Sequence, residues 1–383
     1  MEMWPYVLIL YLAVGAVADD VSIGNAEPNP GFWAGSSSAS ATTAYDVLQA
    51  WKSAITGDPT NLLSSWAGDN VCSYKGLYCD ATTGVVVGID LNGANLQGTL
   101  VPELSFLTGL TLLHLNTNGF SGTVPDSYSA LVFLRELDLS NNYFSGPFPA
   151  VTLTMPSLIY LDIRFNGFYG PLPDSLFTSK LDAIFVNNNY FDGNVPQSIG
   201  NSEASVINLA NNNLTGSLPV MLGLANSKLK EILLLNNQIS GCIPQQLGLF
   251  SGVEVVDVSF NSLTGNVPAA ISCLSQLEVL NLEHNLLYGE VPNAICSIKS
   301  LLNFTAAFNF FSKFSQQCEK VFFGNSGFDI SDNCIPGIDF QRPTPQCFGF
   351  PSGGINCLSI PVVQPLLCAT LFNGLNANFS WFP

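Results

Sequence analysis

The sequence is organised by an asparagine that returns at a nearly constant interval inside an apolar frame. Residues 134–146 read LRELDLSNNYFSG and residues 158–170 read LIYLDIRFNGFYG. The shared frame is LxxLxLxxNxLxG, and its asparagine position is occupied in order by Ala94, Asn118, Asn142, Asn166, Asn189, Asn212, Asn237, Asn261, Asn285 and Asn309. Nine asparagines in ten positions, 23 to 25 residues apart, predict a stack of similar structural units.

This frame is the leucine-rich repeat pattern, in which each repeat contributes one short strand and neighbouring strands stack in parallel. We therefore predict an α/β-type repeat solenoid that occupies residues 85–313. It is expected to be a right-handed leucine-rich repeat superhelix of about ten repeats of about 24 residues, with a parallel sheet on its concave side.

The asparagine has a structural role in such a stack. Where each strand bends into its loop, backbone N–H and C=O groups turn into the core without strand partners. A buried amide both donates and accepts hydrogen bonds, so it satisfies groups in its own loop and in the adjacent one. We therefore predict a ladder of stacked asparagines, and we assign these residues no catalytic role.

A second motif follows most of the frames and ends in proline. It reads SGTVP at 121–125, SGPFP at 145–149, YGPLP at 169–173, DGNVP at 192–196, TGSLP at 215–219, TGNVP at 264–268 and YGEVP at 288–292. Glycine permits a tight reversal, and proline fixes an extended backbone beyond it. This LxGxxP extension resembles the plant-specific class of leucine-rich repeats, which implies a second strand on the outer side of the solenoid.

Both ends of a stacked core need a cover. Over residues 43–84 we expect an amino-terminal cap, because TTAYDVLQAWKSAIT predicts a helix with a capping box at Thr43 and Asp46. The apolar face of that helix carries Tyr45, Leu48, Trp51 and Ile55. The CSYKGLYC that follows resembles the amino-terminal cap of plant repeats. Residues 314–383 are expected to form a cysteine-rich carboxy-terminal cap and tail.

The first residues predict secretion. The stretch from Met3 to Ala18 is apolar, ends in Ala16-Val17-Ala18 and is too short to span a bilayer comfortably. We interpret residues 1–18 as a signal peptide, although Glu2 stands where a positive charge is usual, and residues 19–42 as a polar linker. No later run is long enough for a membrane helix, so a released protein is expected.

Ten cysteines fit a secreted chain that keeps disulfide bonds. Cys72 should pair with Cys79 as a short clasp in the amino-terminal cap, and Cys296 with Cys318 near the other end. Cys242 and Cys273 are expected to be free thiols. A metal site is not expected, because the chain has no CxxC pair and its two histidines lie far from the cysteine-rich tail.

The resemblance extends to one family. The segments LQAWKSAITGDPTNLLSSWAGDNVCSYKGLYC, EILLLNNQISGCIP, NCIPG at 333–337 and QRPTPQC at 341–347 resemble the repeat domain and cysteine-rich hinge of plant leucine-rich repeat extensins. The chain ends fifteen residues after Cys368 without Ser-Pro-rich repeats, so we expect a relative that lacks the extensin domain.

That resemblance implies secretion to the cell wall or apoplast and binding of small basic signalling peptides of the rapid alkalinisation factor class. It further implies a role in wall growth or integrity, and a possible homodimer. Two alternatives stay open, namely an inhibitor that docks on a wall-degrading enzyme such as polygalacturonase and a structural wall protein.

The formal net charge of -17, from 28 acidic and 11 basic residues, argues against nucleic acid as a partner and favours a cationic one. Acidity that only keeps an apolar protein soluble is the simpler explanation. No GxSxG, HExxH or phosphate-cradling motif is present in the sequence, so we expect a binding protein that is not an enzyme and needs no cofactor.

The x positions of LxxLxLxxN should point into the concave surface, where solenoids usually bind. Acidic groups and aromatic rings alternate there, as a basic peptide with apolar anchors requires. The candidate peptide-binding residues are Asp138, Asp162, Arg164, Phe165, Phe185, Asp257, Phe260 and Glu283. The alternative is that Phe165, Phe260 and Phe308 pack against one another or against a glycan. Candidate glycosylation sequons begin at Asn213, Asn303 and Asn378.

Overall fold

The computed structural model describes residues 43–220, 228–322, 327–348 and Cys357. The signal peptide and polar linker predicted for residues 1–42 lie outside these ranges, as does Asn378. The described residues fall in the unit that extends from Thr42 onward. They form a leucine-rich repeat solenoid.

One sheet runs the length of the repeats, and we call it the long sheet. It has twelve strands within the described residues; the first two pair antiparallel, and each later strand pairs parallel with its counterpart in the next repeat. Its strands are Leu77–Cys79, Val86–Asp90, Leu112–His114, Glu136–Asp138, Tyr160–Asp162, Ala183–Phe185, Val206–Asn208, Glu231–Leu233, Val255–Asp257, Val279–Asn281, Asn303–Thr305 and Phe328–Asp329. The last strand lies beyond residue 313, so the sheet continues into the cysteine-rich region.

The LxGxxP motifs contribute most strands of a second sheet, as the resemblance to plant-specific repeats implies. In the described part of the chain this second sheet has two parts. The first contains Ile55–Gly57, Gln97–Thr99, Gly119–Gly122, Tyr143–Gly146, Gly167–Pro171 and Tyr190–Asp192, and the second contains Ser240–Cys242, Ser262–Gly265, Leu286–Glu290 and Phe310–Lys313. Between the two parts, isolated bridges join Asn194 to Thr215 and Ser217 to Ser240.

Short 3₁₀ turns connect the second sheet to the next long-sheet strand. They cover Leu62–Ser65, Val71–Ser73, Pro102–Phe106, Asp126–Ala130, Ala150–Thr154, Asp174–Thr178, Gln197–Asn201, Gln245–Leu249, Ala269–Cys273 and Ile295–Ser297. The α-helices are α1 at Ala44–Ala54, α2 at Gln316–Phe322 and α3 at Thr344–Phe348. Helix α1 begins at the predicted capping box, in which Thr43 and Asp46 bond reciprocally.

The asparagine ladder has the predicted dual function of donor and acceptor. Asn142 Nδ2 donates to the carbonyls of Leu139 and Ser140 in its own loop. It also reaches the preceding repeat, where it donates to the Leu115 carbonyl at 2.8 Å and accepts the Phe120 N–H at 2.9 Å. The same bonds recur from Asn118 to Asn309, and again at Asn333, one repeat beyond residue 313. Each ladder residue therefore joins its repeat to the one before it.

Buried phenylalanines form a column behind the second sheet. Phe120, Phe144, Phe168 and Phe191 stack on one another with ring centroids 6.3 to 6.5 Å apart. Trp51 of α1 stacks on the first of them at 5.9 Å and donates its indole N–H to the carbonyl of Thr99. The cap helix thus closes the open end of the apolar core, as a solenoid requires.

The disulfide bonds show how the cysteine-rich region meets the repeats. Cys72 bonds to Cys79 and Cys296 to Cys318, which are the two pairs predicted from the sequence, and Cys334 bonds to Cys347. The expectation of free thiols at Cys242 and Cys273 is wrong. Cys242 bonds to Cys357 across 115 positions, and Cys273 is also disulfide-bonded. Cys357 lies against the second sheet, next to Thr264. No sequence pattern indicated this contact, because the two cysteines are far apart along the chain.

Candidate functional site

The last residue of most long-sheet strands is an aspartate or asparagine that holds the following loop. Its side-chain Oδ1 accepts the backbone N–H two residues later, at 2.9 to 3.2 Å. This Asx column comprises Asp90, Asp138, Asp162, Asn208, Asp257, Asn281 and Asp329. These are local side-chain turns that fix the strand exit.

The expectation that the acidic column is exposed to solvent is wrong for two of its members. Asp162 is 0% and Asp257 is 1% exposed, whereas Asp138 is half-buried. Burial is the main cause that raises the pKa of both buried carboxyl groups above the usual range. Their oxygens are committed to loop hydrogen bonds, so they are not free charges on a wet surface.

A cluster around Asp162 contains five of the predicted site residues, including Asp138 on the adjacent strand. Arg164 Nε lies 3.0 Å from Asp162 Oδ2, and its guanidinium lies 5.2 Å from the centre of the Phe185 ring. Phe185 is buried beneath this contact and packs against Tyr160 at 5.8 Å. Arg164 and the neighbouring Phe165 are half-buried. Because Asp162 and the Phe185 ring already occupy the Arg164 guanidinium, the cluster leaves little of it for a ligand.

The position immediately before each ladder asparagine has a left-handed backbone. Its φ angles lie between 50° and 64° throughout this left-handed column, which comprises Gly93, Thr117, Asn141, Phe165, Asn188, Asn211, Asn236, Phe260, His284, Phe308 and Asp332. Glycine and asparagine tolerate that conformation, whereas it costs other residues about 1–2 kcal/mol. Phenylalanine and histidine are therefore unusual at these positions. Their backbone strain is not needed to form the loop, because asparagine forms the same loop in other repeats.

Three of these unusual occupants form a single stack. The His284 ring lies 4.3 Å from that of Phe260 and 4.1 Å from that of Phe308, with interplanar angles of 18° and 9°. Phe260 is 43% and Phe308 is 37% exposed. Phe340 lies next along this edge, since its carbonyl accepts the N–H of Asp332, and it is largely exposed. We call Phe260, His284 and Phe308 the aromatic stack.

The packing alternative is therefore correct in part, because Phe260 and Phe308 are joined through His284. Phe165 belongs to the Asp162 cluster instead. Burial is the main cause that lowers the pKa of His284, and the nearby Arg342 acts in the same direction. Around neutral pH the stack is consequently uncharged, which suits an apolar anchor of a ligand.

Glu283 places a carboxylate beside this stack. It is half-buried, and within the described residues its carboxylate has no hydrogen-bond or ion-pair partner. Burial, followed by the charges of Asp257 and Asp329, raises its pKa to about 7. A positive charge bound next to Glu283 would stabilise its ionised form and so lower its pKa again.

The predicted residues thus divide between two places on the long sheet. Asp138, Asp162, Arg164, Phe165 and Phe185 belong to the first cluster, and Asp257, Phe260 and Glu283 belong to the second. Sequence reasoning left His284 and Phe308 out of the candidate site. A signal for them was present, since four asparagines and a glycine in this column indicate a left-handed position, at which an aromatic residue is costly.

The candidate sequons differ in their surroundings. Asn213 is exposed at the edge of the second sheet, and the Thr215 hydroxyl of its sequon donates to the carbonyl of Gly193. Asn303 is half-buried within a long-sheet strand, and the Thr305 hydroxyl donates to Asn281 Oδ1. Of the two described sequons, Asn213 is the more accessible.

Among the described residues, no helix is long and apolar enough to cross a membrane.

Family profiles match parts of the chain. The one described as Leucine rich repeat N-terminal domain matches residues 42–80, and the one described as Leucine Rich Repeat matches residues 133–152 and 276–298. These matches fall on the predicted amino-terminal cap and on the predicted leucine-rich repeats.

Two curated relatives from Arabidopsis thaliana show where the chain is most similar. Pollen-specific leucine-rich repeat extensin-like protein 1 is 50% identical over 80 residues, which are 20% of this chain and 8% of the relative. Leucine-rich repeat extensin-like protein 1 is 49% identical over 80 residues, 20% of this chain and 11% of the relative. The similarity thus covers a small fraction of each relative's length.

Solved plant structures share the fold. The Arabidopsis receptor kinase HAESA, in complex with the peptide hormone IDA and the co-receptor SERK1, matches with a TM-score of 0.68 at 28% identity, over 76% of this chain and 50% of that chain. A plant ice-binding protein matches with a TM-score of 0.63 at 27% identity, over 70% of this chain and 87% of that chain. This is a fold of binding proteins and receptor ectodomains, and the chain is not an enzyme.

Proposed function

We propose that this leucine-rich repeat chain, a relative of the leucine-rich repeat extensins, is a secreted binding protein of the plant cell wall or apoplast. Its ligand is a small basic signalling peptide of the rapid alkalinisation factor class, and its role lies in wall growth or integrity signalling. The binding site is the second cluster on the long sheet, centred on the aromatic stack.

The observation that carries the proposal is the aromatic stack itself. Three rings occupy left-handed positions that asparagine fills in four other repeats, and the two outer rings are exposed. Strained residues that expose apolar surface mark sites of binding more often than sites of folding. Stacked aromatic rings also offer a rigid platform that loses little entropy when a ligand is bound.

The charge around the stack favours a cationic ligand. Glu283, next in sequence to His284, has a carboxyl group without an ion-pair partner within the described residues, and the charges of Asp257 and Asp329 act on it. The formal charge of the whole chain, -17, attracts a basic peptide over a longer range. A peptide with a lysine or arginine next to an apolar side chain would contact Glu283 and the stack together.

Similarity supports an extracellular setting for this role. The relatives are named as extensin-like proteins, and HAESA was solved with a peptide hormone. The disulfide bonds of the described region fit an oxidising compartment, because cytosolic thiols are kept reduced.

Titration calorimetry with a synthetic peptide of this class tests the proposal. The wild-type chain should bind the peptide, and Phe260→Ala and Phe308→Ala should each weaken binding at every salt concentration, because apolar burial is not screened. Phe133→Ala, which removes an exposed ring outside the long sheet, is the matched control and should bind normally.

Affinity capture from a plant wall extract separates this function from the alternatives. Recovery of a basic peptide supports the proposal. Recovery of a polygalacturonase without any small peptide contradicts it, as does a calorimetric affinity that neither phenylalanine variant changes.

A further inference from the structure

Three large rings project from the outer face of the second sheet, away from the long sheet. Tyr143, Tyr169 and Tyr190 are 74%, 54% and 63% exposed. They come from the consecutive strands Tyr143–Gly146, Gly167–Pro171 and Tyr190–Asp192. An exposed apolar patch built from several strands marks an interaction surface, whereas a single exposed ring does not.

Strand register places the three tyrosines on one face. Tyr169 pairs directly with Tyr190, and Gly167, two residues earlier, pairs with Ser145. Alternate residues of a strand share a face, so Tyr143, two residues before Ser145, points the same way. The pairing puts Tyr143 about 14 Å from Tyr169, four residues along and one strand across.

Between the tyrosine rings the surface is formed by glycine and by small polar side chains. Gly167 lies between Tyr143 and Tyr169, and a side chain there would meet the Phe144 carbonyl at 3.1 Å. An open groove of about 480 Å³ continues from Tyr143 towards the cap helix. It is lined by Ala54, Thr56, Gln97, Gly98, Thr99, Gly119, Ser121 and Tyr143. The tyrosines therefore lie next to a groove that is lined mainly by glycine, hydroxyl and amide groups.

This face is nearly free of charge. Its strands read QGT, GFSG, YFSG, GFYGP and YFD, in which Asp192 is the single ionisable acidic or basic residue. A basic partner would find little opposite charge here, and an anionic partner would be repelled by the net charge of -17. Charge complementarity thus points to a neutral ligand.

We propose that the outer face of the second sheet binds a neutral oligosaccharide of flat, β-linked sugar rings. One face of such a sugar is lined with C–H groups and stacks on tyrosine, while its hydroxyl groups at the ring edge bond to polar side chains and to the tyrosine O–H. Tyr169 and Tyr190 hold one end of the ligand, Tyr143 holds the other, and the groove accommodates its extension.

This site is separate from the proposed peptide site. The tyrosines lie on the second sheet, and the aromatic stack lies at the end of long-sheet strands. A sugar-binding face would hold the chain on a polysaccharide matrix while the long sheet remained free to bind its peptide. Either activity can therefore fail without the other.

Isothermal titration calorimetry with cellohexaose tests the site. The wild-type chain should bind, and Tyr169→Ala/Tyr190→Ala should weaken binding by about tenfold or more. Tyr169→Phe/Tyr190→Phe should retain most of the affinity, since the stacking ring is kept. Tyr78→Ala removes an exposed tyrosine from the long sheet and serves as the control that leaves binding unchanged.

Three results would overturn the proposal. The first is an affinity for cellohexaose that the double alanine variant leaves unchanged, or no binding by the wild type. The second is binding of polygalacturonate in preference to cellohexaose, since that ligand is anionic. The third is binding that appears only in Asn213→Gln, because a glycan of the chain's own, attached two residues before the bridge from Thr215 to Asn194, would then be the occupant.

Dimerisation is checked on the same samples. Sedimentation should give the same mass for the wild type and the double alanine variant. A dimer that dissociates when the tyrosines are removed would assign the face to a second copy of the chain and refute sugar binding.

Discussion

Asp257 accepts two hydrogen bonds from Ser259 through a single carboxylate oxygen, from the backbone N–H at 3.0 Å and from the hydroxyl at 2.6 Å. The carboxylate is buried, and the bonds close the turn by which the strand leaves the long sheet. This use of an aspartate as a turn-former explains why the acidic column is largely structural.

Asp257→Ala should lower the free energy of unfolding by about 1–3 kcal/mol, because the buried Ser259 N–H loses its acceptor. Chemical denaturation measures the change. Glu103→Ala, at an exposed site on a connecting turn, is the control and should change stability little. An unchanged midpoint for Asp257→Ala would contradict the turn-forming role.

Phe260→Asn should separate folding from binding. Asparagine relieves the left-handed backbone, while loss of the His284 contact removes about 0.5–1.5 kcal/mol of ring stacking. The two effects nearly cancel, so the thermal midpoint should change little. Peptide affinity should nevertheless fall, as measured by calorimetry. A large drop in midpoint with intact peptide affinity would show that the stack serves folding.

Glu283→Gln should change the pH dependence of both stability and binding. The folded-state pKa, about 7, lies above the unfolded value, so the stability contributed by protonated Glu283 is complete at acid pH and is lost as pH rises through about 7. The variant should exceed the wild type in stability at pH 8 by about 1 kcal/mol after allowance for solvent screening, and match it near pH 4.

Binding should show the opposite trend in the wild type. A cationic peptide stabilises ionised Glu283, so its affinity should rise between pH 6 and pH 8, and Glu283→Gln should flatten that rise. Calorimetry at several pH values, in buffers of different ionisation enthalpy, also detects the proton that binding releases. A pH profile shared by both proteins would place the peptide away from Glu283.

Asn285→Leu should destabilise the solenoid by several kcal/mol. Asn285 donates to three carbonyl groups and accepts the Leu263 N–H, and each buried group left unpaired costs about 1–3 kcal/mol. Asn201→Leu, at an exposed position, is the matched control. Equal denaturation curves for the two variants would mean that the ladder contributes no more than a surface asparagine.

Removal of the Cys242–Cys357 bond should cost more stability than removal of Cys72–Cys79. The separations are 115 and 7 residues, and loop-closure entropy predicts losses of about 4–5 and about 2 kcal/mol, respectively. Guanidinium denaturation of the two paired Cys→Ser variants measures the difference. The reverse order would show that strain or residual structure in the unfolded chain outweighs loop length.

The repeat architecture could be predicted because one local pattern sets both the strand and its loop. Asn142 and its counterparts must satisfy the same backbone groups in every repeat, so spacing alone locates the ladder. The burial of Asp162 and Asp257 was not predictable in this way. The alternation of residues along each strand predicts that these aspartates are exposed. Their burial results from the turn after the strand, whose geometry the alternation does not determine.

Long-range contacts account for the other differences. Cys242 and Cys357 meet because the cysteine-rich region returns to the second sheet, and no local motif encodes that return. The contact of His284 with Phe260 and Phe308 arises because positions 24 residues apart become neighbours. The period places these residues in register, but the ring stacking depends on a backbone conformation that the repeat frame alone did not disclose.

Every ladder asparagine bonds to the repeat before its own, and this direction affects how the chain can fold while it is being synthesised. Each repeat holds carbonyl and N–H groups that are satisfied only by the asparagine of the repeat after it, as Ala306 and Phe311 are by Asn333. The ribosome releases the amino terminus first, so the youngest repeat is always incomplete until its successor emerges. Folding can therefore proceed one repeat at a time from the Trp51 cap, and Asn333 is the last ladder asparagine among the described residues.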